Sequence, residues 1–219
     1  MAKTPGPLRV IILHGAHGGP ETNWFPWLHT TLEAEGIEVL RPHFPTPEGQ
    51  SLSAWSDTYD AAVESLPLAA TILVGHSLGA AFALRLVERS TRPLAGLFLA
   101  AGFIGPLGLP DYDTINRSFF AAPFDWPTIR ERMGQTCRCW AADNDPYVPL
   151  SRSQEVATWL EAPLEVVAGG DISTVKRASP LSRRCETRFC PSPPFLLFKV
   201  KLARCRDMAC HIFPTIIIG

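Results

Sequence analysis

The hydrophobic positions of the chain fall into two alternating kinds of segment. Short runs, most of them apolar at consecutive positions, occur at residues 8–13 (LRVIIL), 37–40 (IEVL), 71–74 (TILV), 96–100 (GLFLA), 136–141 (TCRCWA) and 164–167 (LEVV). Runs of this length suit strands covered on both faces. Between them, residues 24–35, 54–65, 80–88, 126–133 and 153–160 carry helical signals. Asp125 stands where a helix N-cap is expected, and Ser151 followed three residues later by Gln154 resembles a capping box. Strand and helix in alternation predict an α/β fold, a parallel sheet of about six strands with helices on both faces. The breaker-rich stretch 102–120 reads as loop, with Asp111 and Asp113 solvated on it.

The alternation stops at Gly170. Residues 171–219 hold nine Lys/Arg against three acids, net +6, whereas the 170 residues before them hold 11 against 18, net −7. Four of the six cysteines lie in this tail and none of the six tryptophans does. Its first half, STVKRASPLSRRCETRFCPSPP, is basic and rich in breakers, and the rest keeps neither a strand nor a helix period. The organisation expected is an α/β domain over 1–170, incomplete at its end, and a poorly ordered tail over 171–219. Cysteine pairs 185/190 and 205/210 are spaced wider than the usual zinc hook and ligand histidines are scarce, so neither metal nor cofactor is expected.

Charge and hydropathy narrow the function classes. An overall net charge of −1 gives no reason to expect nucleic acid or an acidic membrane surface as partner. The apolar stretch at 94–110 is interrupted by four glycines and two prolines, Gly96 to Pro110 inclusive, so it does not read as a membrane span. The opening MAKTPGPLRVIILHG lacks the pattern of a secretory leader, and the cytoplasm is the expected location.

Three segments carry candidate chemistry. Gly75-His76-Ser77-Leu78-Gly79 fits G-x-S-x-G with a strand before and a helix after. In that context the two glycines admit a tight strand-to-helix turn that lifts the Ser77 hydroxyl to the sheet edge. The N–H of Leu78, at the helix start, can then face a developing oxyanion. The competing reading is an ordinary glycine-rich turn with a capping serine. The second segment, His14-Gly15-Ala16-His17-Gly18-Gly19, follows the first strand and can supply the other donor, most simply the N–H of Ala16. A phosphate-binding loop is the alternative, but no lysine follows at the spacing such loops need. The third is Ala142-Asp143-Asn144-Asp145-Pro146-Tyr147-Val148-Pro149 after the fifth strand, where either Asp143 or Asp145 can orient an imidazole.

Together these features resemble the α/β-hydrolases, and in particular the small serine hydrolases related to retinoblastoma-binding protein 9. The resemblance rests on the HG loop, NWFPWL, PHFPTPEGQSLSAW, GHSLG, and D-x-D-P-Y-x-P followed by a helix with QEVA, and spans about residues 8–170. It implies strand order 2-1-3-4-5-6, Ser77 as nucleophile and Asp145 as the orienting acid. Small esters or amides are the implied substrates, and His17, Trp24 and Trp27 are candidates for the pocket wall together with the 102–120 loop.

The same resemblance exposes a gap. In that family the sixth strand ends in a glycine turn, the catalytic histidine follows at once, and a last helix packs back on the sheet. Here LEVVAGG is followed by Asp171, and the next histidine is His211. The other histidines are poor substitutes: His76 is the x of the elbow, His14 and His17 border the oxyanion loop, and His29 and His43 read as structural or solvated. His211 is a remote alternative. The chain therefore reads as a serine hydrolase of impaired activity. The alternatives are a catalytically inactive isoform that binds a protein or ligand, and a frameshifted or alternatively spliced product.

Overall fold

The computed structural model describes residues 8–64 and 71–168. Six strands form one parallel sheet: β1 (Arg9–Leu13), β2 (Glu38–Leu40), β3 (Thr71–His76), β4 (Gly96–Ala100), β5 (Cys137–Ala142) and β6 (Leu164–Val167). Their order is β2-β1-β3-β4-β5-β6, as the resemblance implied, and every pairing is parallel. All five residues of β1 and of β4 are buried, which is why, apart from Arg9, their sequences are apolar without alternation. β6 lies at the sheet edge and is only half-buried.

Helices connect the strands: α1 (Phe25–Ala34), α2 (Leu52–Val63), α3 (Leu78–Arg89), α4 (Pro110–Asn116), α5 (Trp126–Arg132) and α6 (Leu150–Leu160). Ile11, Leu13, Leu73, Leu97, Leu99 and Cys139 point from one sheet face into a core shared with α2, α3, α5 and α6. At its centre Phe44, Trp55, Phe82 and Phe119 are fully buried; Phe44 stacks on Trp55 at 4.7 Å, and Phe119 meets Trp55 edge-on at 4.9 Å. Such aromatic pairs add about 0.5–1.5 kcal/mol each beyond their buried area. The opposite face carries His76, whose ring packs edge-on against Trp24 and Phe25 at the start of α1. Among the described residues no helix is long and apolar enough to cross a membrane.

Local rules account for most boundaries. The α2 helix starts two residues earlier than its apolar spacing suggests because Ser51 caps it, its Oγ accepting from the N–H of Ala54 at 3.1 Å. Asp125 caps α5 as expected, accepting from the N–H of Thr128. The capping box at Ser151 does not form. Pro149 occupies the N-cap of α6, no side chain caps it, and Ser151 is an exposed first-turn residue.

The stretch 102–120 also departs from expectation. It contains α4 and a 3₁₀ turn over Arg117–Phe120. Pro110 supplies the fixed φ suited to a first helical turn. Asp113, half-buried rather than solvated, accepts hydrogen bonds from the N–H groups of Leu107 (2.7 Å) and Gly108 (2.9 Å), while Asp111 is exposed. The expected loss of the last helix, and the tail over 171–219, lie outside the described residues.

Candidate active site

Because all strands run the same way, the loops after β1, β3, β4 and β5 gather at one edge of the sheet. In open α/β sheets this edge is where ligands bind. Ser77 sits there, between β3 and α3, with φ 55° and ψ −123°. A non-glycine residue in that region carries backbone strain and persists only where its surroundings fix it. Two backbone hydrogen bonds do so: Ser77 N–H donates to Ala100 O at 2.9 Å, and Ser77 O accepts from Ala80 N–H at 2.9 Å.

The glycines on either side are needed for approach. A Cβ on Gly79 would lie 2.1 Å from Leu13 O, so the absence of a side chain is what lets α3 begin against the end of β1. The same closeness brings the loop after β1 onto the serine, since a Cβ on Gly15 would lie 2.8 Å from Ser77 Cβ and 3.2 Å from its Oγ. Gly18 N–H bonds back to Gly15 O at 3.2 Å, which folds Ala16 and His17 into a tight turn beside Ser77. Leu78 is the first residue of α3, and the leading N–H groups of a helix have no partner within it. The site thus combines a hydroxyl on strained backbone, the positive end of a 12-residue helix and a second tight turn in contact with it.

Asp145 lies in the turn after β5 and is half-buried. Its Oδ1 accepts from the N–H groups of Tyr147 and Val148, both at 2.9 Å. Oδ2 makes no hydrogen bond among the described residues, which leaves it able to accept from an imidazole N–H. Asp143 differs: it is exposed, and its N–H bonds to Val167 O at 3.3 Å, extending the β5–β6 ladder.

Five of the six histidines fall among the described residues, and the structure separates their roles. His14 is buried; its Nε2 accepts from Phe44 N–H at 3.0 Å, so Nδ1 carries the proton and donates to Gly15 O at 2.8 Å. Both nitrogens are therefore committed, and burial pushes its pKa below the ordinary imidazole value. His76 turns its ring to α1, on the far side of the strand from the serine. His29 pairs with Glu33 at 2.9 Å along α1. His43 is exposed, with its ring 6.0 Å from that of His14. His17 is exposed at φ 55°, its ring against Tyr112 at 5.0 Å. Among the described residues no imidazole is hydrogen-bonded to Ser77 Oγ or to Asp145. Asp171 and His211 lie outside them. Of the proposed pocket residues, His17 stands beside the site; Trp24 packs on Phe25 and His76, and Trp27 is 42% exposed on α1.

One polar chain leaves no trace in the sequence. His17 N–H donates to Thr46 Oγ1 (2.8 Å), Thr46 Oγ1 donates to Gln50 Oε1 (2.6 Å), and Gln50 Nε2 donates to buried Asn116 Oδ1 (2.7 Å). It ties the turn beside Ser77 to the loop after β2 and to the end of α4. Asparagine and glutamine 66 residues apart carry no local pattern that would pair them.

A family model for serine hydrolases matches residues 10–175. The chain belongs to the serine hydrolase family. It is 33% identical over 165 residues to the putative hydrolase YdeN of Bacillus subtilis (strain 168), covering 74% of this chain and 84% of that protein. The serine hydrolase RBBP9 of Rattus norvegicus is 29% identical over 161 residues, covering 72% and 83% of the two chains. Among solved structures, the crystal structure of the B. subtilis ydeN gene product superposes with a TM-score of 0.68 at 30% identity, covering 75% of this chain and 87% of that one. The shared region ends close to where the composition changes.

Proposed function

We propose that the α/β domain over 1–170 is built for acyl transfer from small esters or amides in the cytoplasm. In this reading Ser77 is the nucleophile, the N–H groups of Leu78 and Ala16 form the oxyanion hole, and Asp145 orients a base. Turnover is low because Asp171 stands where the family places its histidine. The observation that carries the reading is the strained Ser77 backbone at the β3–α3 junction, with Gly15 packed on its side chain. Strain kept at one serine, beside a helix N-terminus, is what an exposed hydroxyl nucleophile needs.

The magnitude of the impairment follows from the role of the base. In a serine protease, losing the histidine alone costs roughly 10⁶-fold in kcat. The oxyanion hole and binding still leave about 10³–10⁴-fold over water. A second reading, a binding module that keeps the pocket without turnover, is favoured by the commitment of both His14 nitrogens and the packing of the His76 ring against α1.

A fluorophosphonate probe with a Ser77→Ala control tests the nucleophile, and Asp171→His tests the missing base. Slow labelling that Ser77→Ala abolishes, with ester turnover rising about 100-fold or more in Asp171→His, is the expected result. Labelling indifferent to Ser77→Ala overturns the nucleophile. Brisk turnover in the parent chain that His211→Ala abolishes overturns the impairment and places the base in the tail.

A further inference from the structure

We propose that the rings of His17, Tyr112 and Tyr147 form a bar across the mouth of the Ser77 site and restrict it to slender, unbranched substrates. The proposal deepens the hydrolase reading and rests on Ser77 as the reacting centre. His17 belongs to the turn after β1, Tyr112 to α4 and Tyr147 to the turn after β5. His17 and Tyr112 meet edge-on at 5.0 Å, and Tyr112 and Tyr147 meet at 5.7 Å with their planes 42° apart. The contacts therefore join the first and third of these segments through the second.

Strand order gives the bar its position. The sheet runs β1-β3-β4-β5 through this region, with neighbours about 4.8 Å apart. A link from the β1 loop to the β5 loop at the carboxyl edge must cross the ends of β3 and β4, and Ser77 directly follows the last residue of β3. One end of the bar is held close to the serine, because His17 lies two residues beyond Gly15, which touches Ser77. The other end lies two residues beyond Asp145, whose Oδ1 accepts the Tyr147 N–H.

The middle is held from below. Tyr112 and Asn116 are one helical turn apart on α4 and share a face, and Asn116 is locked by Gln50 in the chain that also fixes the His17 N–H. Burial and the neighbouring Tyr147 push the Tyr112 hydroxyl above its ordinary pKa, which keeps the middle ring uncharged at neutral pH. Only ring contacts join its members to one another. Removing the middle ring should open the span without dismantling the loops.

Alkylation of a Ser77→Cys chain reads the opening without any catalytic base from the site, so its outcome is separate from whether the serine hydrolyses anything. The probes are iodoacetamide and fluorescein-5-maleimide, each rate normalised to free glutathione and followed by mass spectrometry on the peptide that carries the introduced thiol. With the bar intact, this thiol should react with the maleimide about tenfold or more slower than with iodoacetamide on the normalised scale, and Tyr112→Ala should close that gap to about threefold or less. Tyr147→Ala, a change at a 51% exposed side chain, serves as the second variant if Tyr112→Ala fails to fold. The proposal is overturned by a gap already absent in the Ser77→Cys parent. It is equally overturned by a gap unchanged in a folded variant, or by a thiol inert to both reagents before and after the change.

Discussion

Gly79→Ala sets two physical expectations against each other. Gly79 lies in the first turn of α3, and helix propensity alone predicts that alanine there stabilises the protein by about 1 kcal/mol. Contact distances predict the reverse. The new Cβ would stand 2.1 Å from Leu13 O, 2.6 Å from His14 O and 2.7 Å from Leu13 C. A carbon and a carbonyl oxygen approach comfortably only to about 3.3 Å, so α3 and β1 must part by roughly 1 Å. Nine of the twelve residues of α3 are buried, which leaves the helix no free direction in which to move. Overpacking against side chains costs about 1–3 kcal/mol. Here the obstacle is backbone within a parallel sheet, so a net loss of about 3 kcal/mol or more is expected. In a domain of this size that lowers the melting temperature by about 6 °C or more. Thermal unfolding followed by tryptophan fluorescence measures it, with Gly105→Ala as comparator because a Cβ at Gly105 meets nothing within 4 Å. A Gly79→Ala chain melting level with its parent, or above it, refutes the close approach of α3 to β1.

Asp145→Ala leaves the N–H groups of Tyr147 and buried Val148 without their acceptor and should cost about 1–3 kcal/mol. Asp145→Asn keeps an acceptor and should recover most of this in thermal melts; equal losses in the two variants would show that the turn does not depend on Oδ1. The folded protein holds His14 neutral by burial, so on acidification the unfolded chain takes up that proton first. This contribution to stability is complete above a pH of about 6.5 and is lost as pH falls toward the lowered folded-state pKa, at up to about 1.4 kcal/mol per pH unit. Melting temperatures at neutral and mildly acidic pH, compared with those of His14→Gln, should show a smaller pH dependence in the variant; an equal dependence would acquit His14.

The sequence revealed elements more readily than sites because the two rest on different kinds of regularity. The six strands read as six short apolar runs, and the strand–helix alternation led directly to a parallel sheet. Where apolar spacing was silent, the ends moved: Ser51 drew α2 two residues forward, and Pro149 began α6 before the capping box at Ser151 could form. Breakers concealed α4, since Pro110 within PLGLPDYD starts a helix instead of interrupting one. The strained turn at Ser77 was legible because Gly75, Ser77 and Gly79 sit within five residues and their spacing states the strain. Tyr112 and the Thr46–Gln50–Asn116 chain were not, because partners brought together from separate loops leave no local pattern.

His14 shows what even a well-read motif withholds. Its place beside Gly15 suggested a border of the oxyanion loop, but an imidazole can serve as a base only if a nitrogen is free. That depends on Phe44, thirty residues on. With Nε2 held by Phe44 N–H and Nδ1 by Gly15 O, a histidine next to the loop that touches the serine supports that loop and cannot take the serine's proton. In the proposed reading, a base for Ser77 would have to come from another direction, and Oδ2 of Asp145, uncommitted among the described residues, is the acceptor that such an imidazole would meet.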